Sequence, residues 1–394
     1  MRTTASTPKE PVLTPSFVTL WMVGFWSYAG TYLSLGALPL YLQYHGLSPV
    51  AVGAVLAAMS VAAFLVRPLG GWAADRVGPQ HVVLGGAACL VLGNVGLATI
   101  SSAVGLAAAR AIGGLGWGCV SSNANTIAGS LAQHRRGEVI ALYTVAGSVA
   151  LAAAPGVGLL LANRYSYGVL FWIASGASAL AVAFSAFLPR AGAAPLPRPL
   201  RLRSLLDRDV AFPSAMLAAH SMSYGAVLYF LPLVTRGNAT TLGSFFTIYA
   251  LALVALRTPA GRLSDRFGRL LSVLPGLFAS AGAMLLVALA AAGSPWAVWP
   301  AAVALALATA FVQPATLAWS VDLARDRLGA AMATTVMAQD LGIASGGFLL
   351  GLVASRAGLT TAFAVIAAVP ATAMVVGFAR MQLARLPGAS SNRD

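Results

Sequence analysis

The chain has 394 residues, of which 59% are apolar and only 9% are charged, and its mean hydropathy is +0.82. This composition excludes an ordinary soluble domain, which needs more polar surface, and indicates a membrane protein. The net charge of +14 does not indicate nucleic-acid binding, because the basic residues fall in short clusters between apolar runs. Cys89 and Cys119 both lie within apolar runs, which excludes a disulfide framework or a zinc site.

Twelve apolar stretches are long enough to cross a membrane as helices, since a span needs about 20 residues. The first of them is too long for a signal-peptide core, so we expect it to be the first span. A polar interruption from Leu188 to Asp209, with four prolines and five arginines, separates six spans from six. The predicted spans cover residues 16–43, 48–71, 82–101, 103–130, 138–162, 167–188, 210–235, 240–261, 270–291, 295–320, 328–354 and 358–380.

The distribution of basic residues predicts the orientation of these spans. Both tails and the even-numbered connections hold 18 lysines and arginines, whereas the odd-numbered loops hold 3. Since basic loops stay on the cytoplasmic side, we expect an inner (plasma) membrane protein with both termini in the cytoplasm. The predicted fold is all-α, with a six-helix bundle in residues 1–188, a cytoplasmic linker in 189–209 and a second six-helix bundle in 210–394.

One motif occurs twice, between spans 2 and 3 and between spans 8 and 9. The first copy reads GWAADRVG and the second GRLSDRFG, at a constant offset of 190 residues, and each follows an arginine and a proline. Repetition at half the chain length indicates two related, pseudo-symmetric halves. The shared residues are Gly71, Asp75, Arg76 and Gly78 in the first copy and Gly261, Asp265, Arg266 and Gly268 in the second.

This motif, the run from Arg110 to Gly114 in span 4 and the sequence LGALPLY at 35–41 together resemble the signatures of major facilitator superfamily transporters. The resemblance extends over essentially the whole chain, and the first-span pattern is similar to that of the drug/proton antiporter and sugar-efflux branch. Two departures are present: Pro79 and Gln80 replace the usual basic pair, and Ala154-Pro155 replaces a glycine-proline in span 5.

The resemblance implies that the repeated motif is a conformational gate. Its glycines allow tight turns and close helix approach, and Asp75 would lie against the positive end of span 11, near Arg327, with Asp265 placed equivalently against span 5. These contacts would hold the cytoplasmic side closed. The alternative, a loop that only fixes topology, requires no more than Arg76 and Arg266.

Ionisable residues inside spans are functional candidates, because they are costly there. Asp340 is the only acidic residue near the middle of a span. It is either a proton site, a counter-charge for a cationic substrate, or a structural group that positions span 11 through a buried ion pair or an internal hydrogen bond. The resemblance implies proton coupling or substrate anchoring for Arg110, although snorkelling to the outer surface is an equal alternative. Arg67 and Arg257 end their spans and are interpreted as membrane anchors.

The substrate cavity is predicted between spans 1, 4, 7 and 10, near the midplane. Aromatic residues with one polar group suit an amphipathic ligand, whereas the histidine is open between packing and proton transfer. The candidate substrate-binding residues are Tyr28, Tyr32, Trp117, Asn123, His220, Tyr224 and Gln313.

These features predict a secondary active transporter, not an enzyme, working by alternating access as a monomer without cofactor or metal. The favoured function is proton-coupled efflux of a small amphipathic or sugar-like compound. An uptake symporter or facilitator and a lysolipid or lipid flippase are the alternatives. A nucleotide-binding loop of the form GxxxxGK(S/T) is absent from the sequence, which argues against direct drive by ATP.

Overall fold

A computed structural model describes residues 13–131, 136–189, 207–324 and 328–383. Within these ranges all regular structure is helical, as predicted, but the described residues form eleven α-helices and not twelve. Most of the predicted linker and of both termini lies outside the described residues. The helices are α1 (Pro15–Tyr44), α2 (Pro49–Val77), α3 (Pro79–Thr99), α4 (Ala103–Leu131), α5 (Arg136–Arg164), α6 (Tyr167–Ser185), α7 (Ala211–Val234), α8 (Ala239–Phe267), α9 (Arg269–Ala291), α10 (Val298–Leu323) and α11 (Leu328–Leu383).

The helices have the length and hydropathy of membrane spans. Among the described residues, ten helical segments are long and apolar enough to cross a bilayer. Helix α1 is not one of them, because its tryptophan, tyrosine, serine and threonine side chains lower its hydropathy. Ser27, Thr31, Tyr32 and Ser34 are buried in the protein, whereas the other side chains of these types are half-buried or exposed. The fold is that of an integral membrane protein.

The last helix accounts for the difference in count. It runs for 56 residues, but Gly358 has φ 79° and ψ 169°, a conformation that an α-helix does not contain. On one side of this break Thr334 accepts a hydrogen bond from the Asp207 backbone, and on the other Arg380 stacks on Phe212. Both far ends therefore lie beside the start of α7, whereas a straight helix would separate them by about 69 Å. Helix α11 consists of two antiparallel arms joined at Gly358.

The duplicated motif has the same backbone geometry in both copies. Helices α2 and α8 are each 29 residues long and begin and end at positions that differ by 190. Gly78 (φ 88°, ψ 143°) ends α2, and Gly268 (φ 94°, ψ 158°) ends α8, and each leads directly into the next helix. Only glycine takes such a positive φ without strain. We call the end of the molecule with these glycines the junction end, and the other the opposite end.

The helices pack in two groups, which position the candidate site between them. Helices α1, α3, α4, α5 and α6 pack against one another with α2, and α7, α9, α10 and α11 pack with α8. The groups meet along two helix pairs, α2 with α11 and α5 with α8, and also where α1 contacts α7. The two pairs are equivalent under the repeat. Side chains on these helices therefore face one shared interface.

Candidate functional site

An aromatic surface from α1 and α4 forms the first half of the candidate site. Tyr28 and Tyr32 lie one turn apart on α1, with ring centroids separated by 5.9 Å. Trp117 of α4 packs edge-on against Tyr28 at 4.9 Å and lies 6.1 Å from Tyr32. Three of the predicted substrate-binding residues are thus brought together by the fold.

The second half of the molecule contributes two more tyrosines. Tyr224 of α7 meets the side chain of Tyr32 across the interface, and Tyr249 of α8 lies 6.1 Å from Tyr224. The Tyr249 hydroxyl donates to Thr309 at 3.1 Å. The sequence did not indicate Tyr249, because the predicted cavity was confined to spans 1, 4, 7 and 10. We call Tyr28, Tyr32, Trp117, Tyr224 and Tyr249 the aromatic cluster.

An ion pair joins the two halves beside this cluster. Arg67 of α2 donates from Nε and Nη2 to the two carboxylate oxygens of Asp340 on α11, the second at 3.1 Å. Its Nη1 donates to Ser122 at 2.8 Å and Ser121 at 3.2 Å. The side chains of Arg67 and Asp340 are only 14% and 7% exposed. The interpretation of Arg67 as a membrane anchor is therefore wrong, because its guanidinium turns into the protein.

The equivalent arginine in the second half crosses the other helix pair. Arg257 of α8 donates from Nη1 to the Thr144 hydroxyl of α5 at 2.9 Å. Among the described residues no carboxylate forms an ion pair with it. Arg67 and Arg257 both lie close enough to Tyr28 to interact with it electrostatically. The anchor interpretation is wrong for Arg257 as well, since it reaches the interface and not the membrane surface.

Arg110 is enclosed within the first half of the molecule. It is 4% exposed, so snorkelling to the surface is contradicted. Its Nε and Nη2 have no hydrogen-bond partner among the described residues. Arg110 also lines a cavity barely large enough for one water molecule, together with Thr31 and Asn94. Tyr229 of α7 lies within electrostatic range, and its hydroxyl is 2.8 Å from that of Ser60.

Three predicted substrate-binding residues are not part of the aromatic cluster. The Asn123 amide donates to its own helix at the Cys119 carbonyl, at 2.8 Å, and the side chain is 2% exposed. His220 is 3% exposed and bonds to Ser280 of α9, inside the second half, at 3.2 Å. A cavity role does not fit either residue, because each is packed within its own half. Gln313 is partly buried, with no side-chain hydrogen bond to a described residue.

The two copies of the motif differ in their charge contacts. In the second copy Asp265 pairs with Arg269 at 2.5 Å, and Arg269 also pairs with Asp322 at the end of α10, at 2.9 Å. The predicted contact of Asp265 with span 5 is thus replaced by one across its own junction. In the first copy Asp75 is exposed and has no hydrogen bond to a described residue, while Arg76 stacks on Trp72 at 4.0 Å.

The predicted partner region of Asp75, near Arg327, lies outside the described residues. A Cβ at Gly71 or Gly261 would meet no atom of the described residues within 4 Å, so close helix packing does not require glycine there. Arg266 lies over the ring of Phe267 at 5.3 Å.

The two halves are in close contact towards the opposite end. A Cβ on Gly156 would lie 2.6 Å from the Cα of Gly243, and the Asn163 amide donates to the Gly237 carbonyl at 3.1 Å. Gly53 likewise abuts the backbone of Gly347. Towards the junction end, the hydrogen bonds between α2 and α11 and between α5 and α8 among described residues extend no further than Arg67–Asp340 and Arg257–Thr144.

Comparisons with known proteins agree with this architecture. The profile described as Major Facilitator Superfamily matches residues 20–238 and again 214–392. A relative in Escherichia coli strain K12, the uncharacterized MFS-type transporter YhhS, is 26% identical over 391 residues, covering 93% of this chain and 95% of the relative.

Solved structures resemble the whole fold. A POT family transporter in complex with 5-aminolevulinic acid gives a TM-score of 0.82 at 14% identity, over 96% of this chain and 99% of that one. The nucleoside transporter NupG gives 0.74 at 13% identity, over 94% of this chain and 100% of that one. At these identities the likeness shows the fold alone.

Proposed function

We propose that this chain, which belongs to the Major Facilitator Superfamily of membrane transporters, carries a small amphipathic compound by alternating access around the aromatic cluster. The observation that carries this proposal is the position of the cluster, whose rings come from both halves and meet between Tyr32 and Tyr224. A ligand held there contacts both halves at once. Its binding is therefore linked to their relative movement.

The contacts between the halves support a state closed at the opposite end and released at the junction end. The backbones of α5 and α8 are in close contact at Gly156 and Gly243, towards the opposite end. The exposure of Asp75 is consistent with a disengaged first motif. With the junction end in the cytoplasm, as the basic residues predict, this is an inward-facing state. The gating motif would engage when the transporter turns outward.

Asp340 is proposed as the proton-coupling residue, acting through Arg67. The carboxylate joins α11 to α2, so protonating it removes the charge that holds the two halves together at this point. Removing one partner from a buried ion pair typically costs about 3–5 kcal/mol. That is enough to shift a conformational equilibrium by several orders of magnitude. Arg110, electrostatically linked to Tyr229 next to this pair, is proposed to assist coupling.

The remaining assignments follow from the same arrangement. The two arms of α11 are proposed as spans 11 and 12, which makes twelve spans in two bundles, residues 1–188 and 210–394. The chain is proposed to work as a monomer in the inner membrane, with both termini in the cytoplasm. The similarity of the first-span pattern to drug/proton antiporters favours efflux.

Alternating access is tested by locking the opposite end. Thr247 of α8 donates to the Ala152 carbonyl of α5 at 3.0 Å, so Ala152→Cys with Thr247→Cys places two thiols across the interface. Cys89 and Cys119 are first changed to alanine. In proteoliposomes, oxidising the pair is expected to abolish substrate-induced proton flux for a panel of drugs, sugars and lipids, and reduction is expected to restore it.

Each single cysteine variant serves as the control and is expected to be unaffected by oxidation. Full proton flux in the oxidised double variant, with the cross-link verified by mass spectrometry, would rule out alternating access through this interface.

One observation favours a second candidate, an uptake symporter or facilitator. Asp340 is already satisfied by Arg67, as a purely structural carboxylate would be. Transport by Asp340→Asn that continues down a substrate gradient, without any response to a proton gradient in the wild type or the variant, would support this candidate over proton-coupled efflux.

A further inference from the structure

The charges near the aromatic cluster do not balance. Three arginines lie within described helices at or near the interface, namely Arg67, Arg110 and Arg257, whereas Asp340 is the only carboxylate in the interior of a described helix. Arg110 is buried, and Arg67 and Arg257 are half-buried. Charges that are partly or fully removed from water are normally paired, because an isolated charge in a low-dielectric medium is costly. The site therefore has an excess of positive charge that a ligand can compensate.

Two of the three arginines are not available to a ligand of substrate size. Arg67 is occupied by Asp340 and by two serine hydroxyls. Arg110 is enclosed in the first half beside a cavity barely large enough for one water molecule. Arg257 is different, since it donates to the neutral hydroxyl of Thr144 and, among the described residues, to no carboxylate. It also lies within electrostatic range of the cluster at Tyr28 and Tyr249.

We propose that Arg257, with the Thr144 hydroxyl, binds the anionic group of the substrate, whose apolar body lies against the aromatic cluster. The substrate class is thus an organic anion, with a carboxylate or a similar oxyanion attached to an apolar body. This inference rests on the proposed transport function. The two equivalent arginines then each bind an anionic group. Arg67 binds the carboxylate of Asp340, and Arg257 binds the anionic group of the substrate.

The chemistry of the two groups supports this assignment. A guanidinium presents several N–H donors in a plane that matches the two oxygens of a carboxylate. Thr144 supplies a hydroxyl, which is both a hydrogen-bond donor and an acceptor. The rings at Tyr28 and Trp117 provide an apolar face for the rest of the molecule. A neutral or cationic compound would leave the Arg257 charge uncompensated.

The test compares carboxylates with primary amides of the same shape. Purified protein is titrated with benzoate and benzamide, 2-naphthoate and 2-naphthamide, and indole-3-acetate and indole-3-acetamide, with tryptophan fluorescence and thermal unfolding as readouts. At least one carboxylate is expected to bind better than its amide in the wild type. Arg257→Gln is expected to weaken that carboxylate roughly 10- to 100-fold, as the loss of a charge-assisted hydrogen bond does, and to leave the amide unchanged.

Matched variants separate binding from folding. Arg262→Gln removes an exposed arginine from the same helix and is expected to bind as the wild type does. Arg257→Lys keeps the charge and is expected to retain part of the preference, and Thr144→Val to weaken it severalfold. If Arg257→Gln does not fold, the latter two variants decide the question.

Two results would overturn the inference: no carboxylate preferred to its amide, or a preference that persists unchanged in Arg257→Gln or Thr144→Val. Either could occur while the cysteine-locked transporter still behaves as expected, in which case the transport function stands and only the anion assignment fails. If oxidation of the cysteine pair leaves the flux unaffected while the carboxylate preference still depends on Arg257, the alternating-access proposal fails and the anion assignment stands.

Discussion

The α2–α11 and α5–α8 interfaces have the same geometry and different chemistry. Each places an arginine at the same position of a 29-residue helix, Arg67 in one and Arg257 in the other. Across α2–α11 the arginine meets a carboxylate, and across α5–α8 it meets a hydroxyl. Duplication has preserved the backbone and the arginine while the partner has diverged. The first interface therefore has an ion pair between the halves, whereas the arginine of the second interface has no carboxylate partner among the described residues.

The two glycine junctions also differ in their charge contacts, but here the second copy of the repeat has the ion pairs and the first does not. The second junction has a continuous chain of charges, Asp265–Arg269–Asp322, linking α8, α9 and α10. The first has Pro79 where Arg269 stands, so its Asp75 lacks an equivalent partner across the junction. One ion pair thus joins the two halves at the first interface, whereas the ion pairs at the second junction lie within the second half.

The largest expected effect comes from removing the charge at the first interface. Asp340→Asn leaves the buried Arg67 guanidinium without a counter-charge, so we expect the free energy of unfolding to fall by about 3–5 kcal/mol. We also expect the dependence of transport on a proton gradient to be lost. Denaturant unfolding in detergent and flux in proteoliposomes measure the two effects.

The double variant Arg67→Gln with Asp340→Asn is the control, and it should recover much of the stability because neither charge remains unpaired. Proton-gradient coupling in Asp340→Asn equal to that of the wild type would refute the coupling role of Asp340.

A second variant makes the two interfaces alike. Thr144→Asp places a carboxylate beside Arg257, as Asp340 stands beside Arg67. We expect binding of the preferred carboxylate to weaken by about tenfold or more, since the new side chain competes for the same guanidinium. Thr144→Asn has the same size as Thr144→Asp without its charge and should bind the carboxylate more tightly than Thr144→Asp does. Equal affinities of the two variants in the fluorescence titration would show that Arg257 does not hold the anion.

The smallest expected effect on stability is at the junctions. Asp265→Asn breaks a pair whose carboxylate is 73% exposed, so we expect a loss of less than about 1 kcal/mol. Asp75→Asn should leave unfolding unchanged, because Asp75 has no described partner, yet reduce transport if the motif engages in the other conformation. Transport by Asp75→Asn at the wild-type rate would remove the proposed gating role from the first junction.

Much of the architecture could be read from the sequence because it depends on composition and spacing. Apolar runs of about 20 residues must form helices in a bilayer, where the backbone has no other hydrogen-bond partners. The repeat at an offset of 190 predicted that Gly78 and Gly268 would be equivalent, and both lie at helix junctions with positive φ. The sequence predicted a boundary between spans 11 and 12 at residues 354–358, and the helical path of α11 breaks at Gly358.

The candidate site was predicted only in part. Tyr28, Tyr32, Trp117 and Tyr224 do meet, but Asn123 and His220 point into their own halves, because a helical residue near the interface can face either way. No feature of the sequence indicated that Tyr249 belongs to the site. Its role depends on α8 approaching α7 and α10 at that level.

The sequence by itself determined that this protein is a membrane transporter of duplicated design, since hydropathy, basic-residue bias and a repeated motif are properties of the linear chain. Only the tertiary structure decided which charges are paired. Arg67 and Asp340 are 273 residues apart in the chain, and Arg257 and Thr144 are 113 apart. Electrostatic pairing depends on distance in space, so two arginines at equivalent positions of the repeat acquired different partners only when the helices packed.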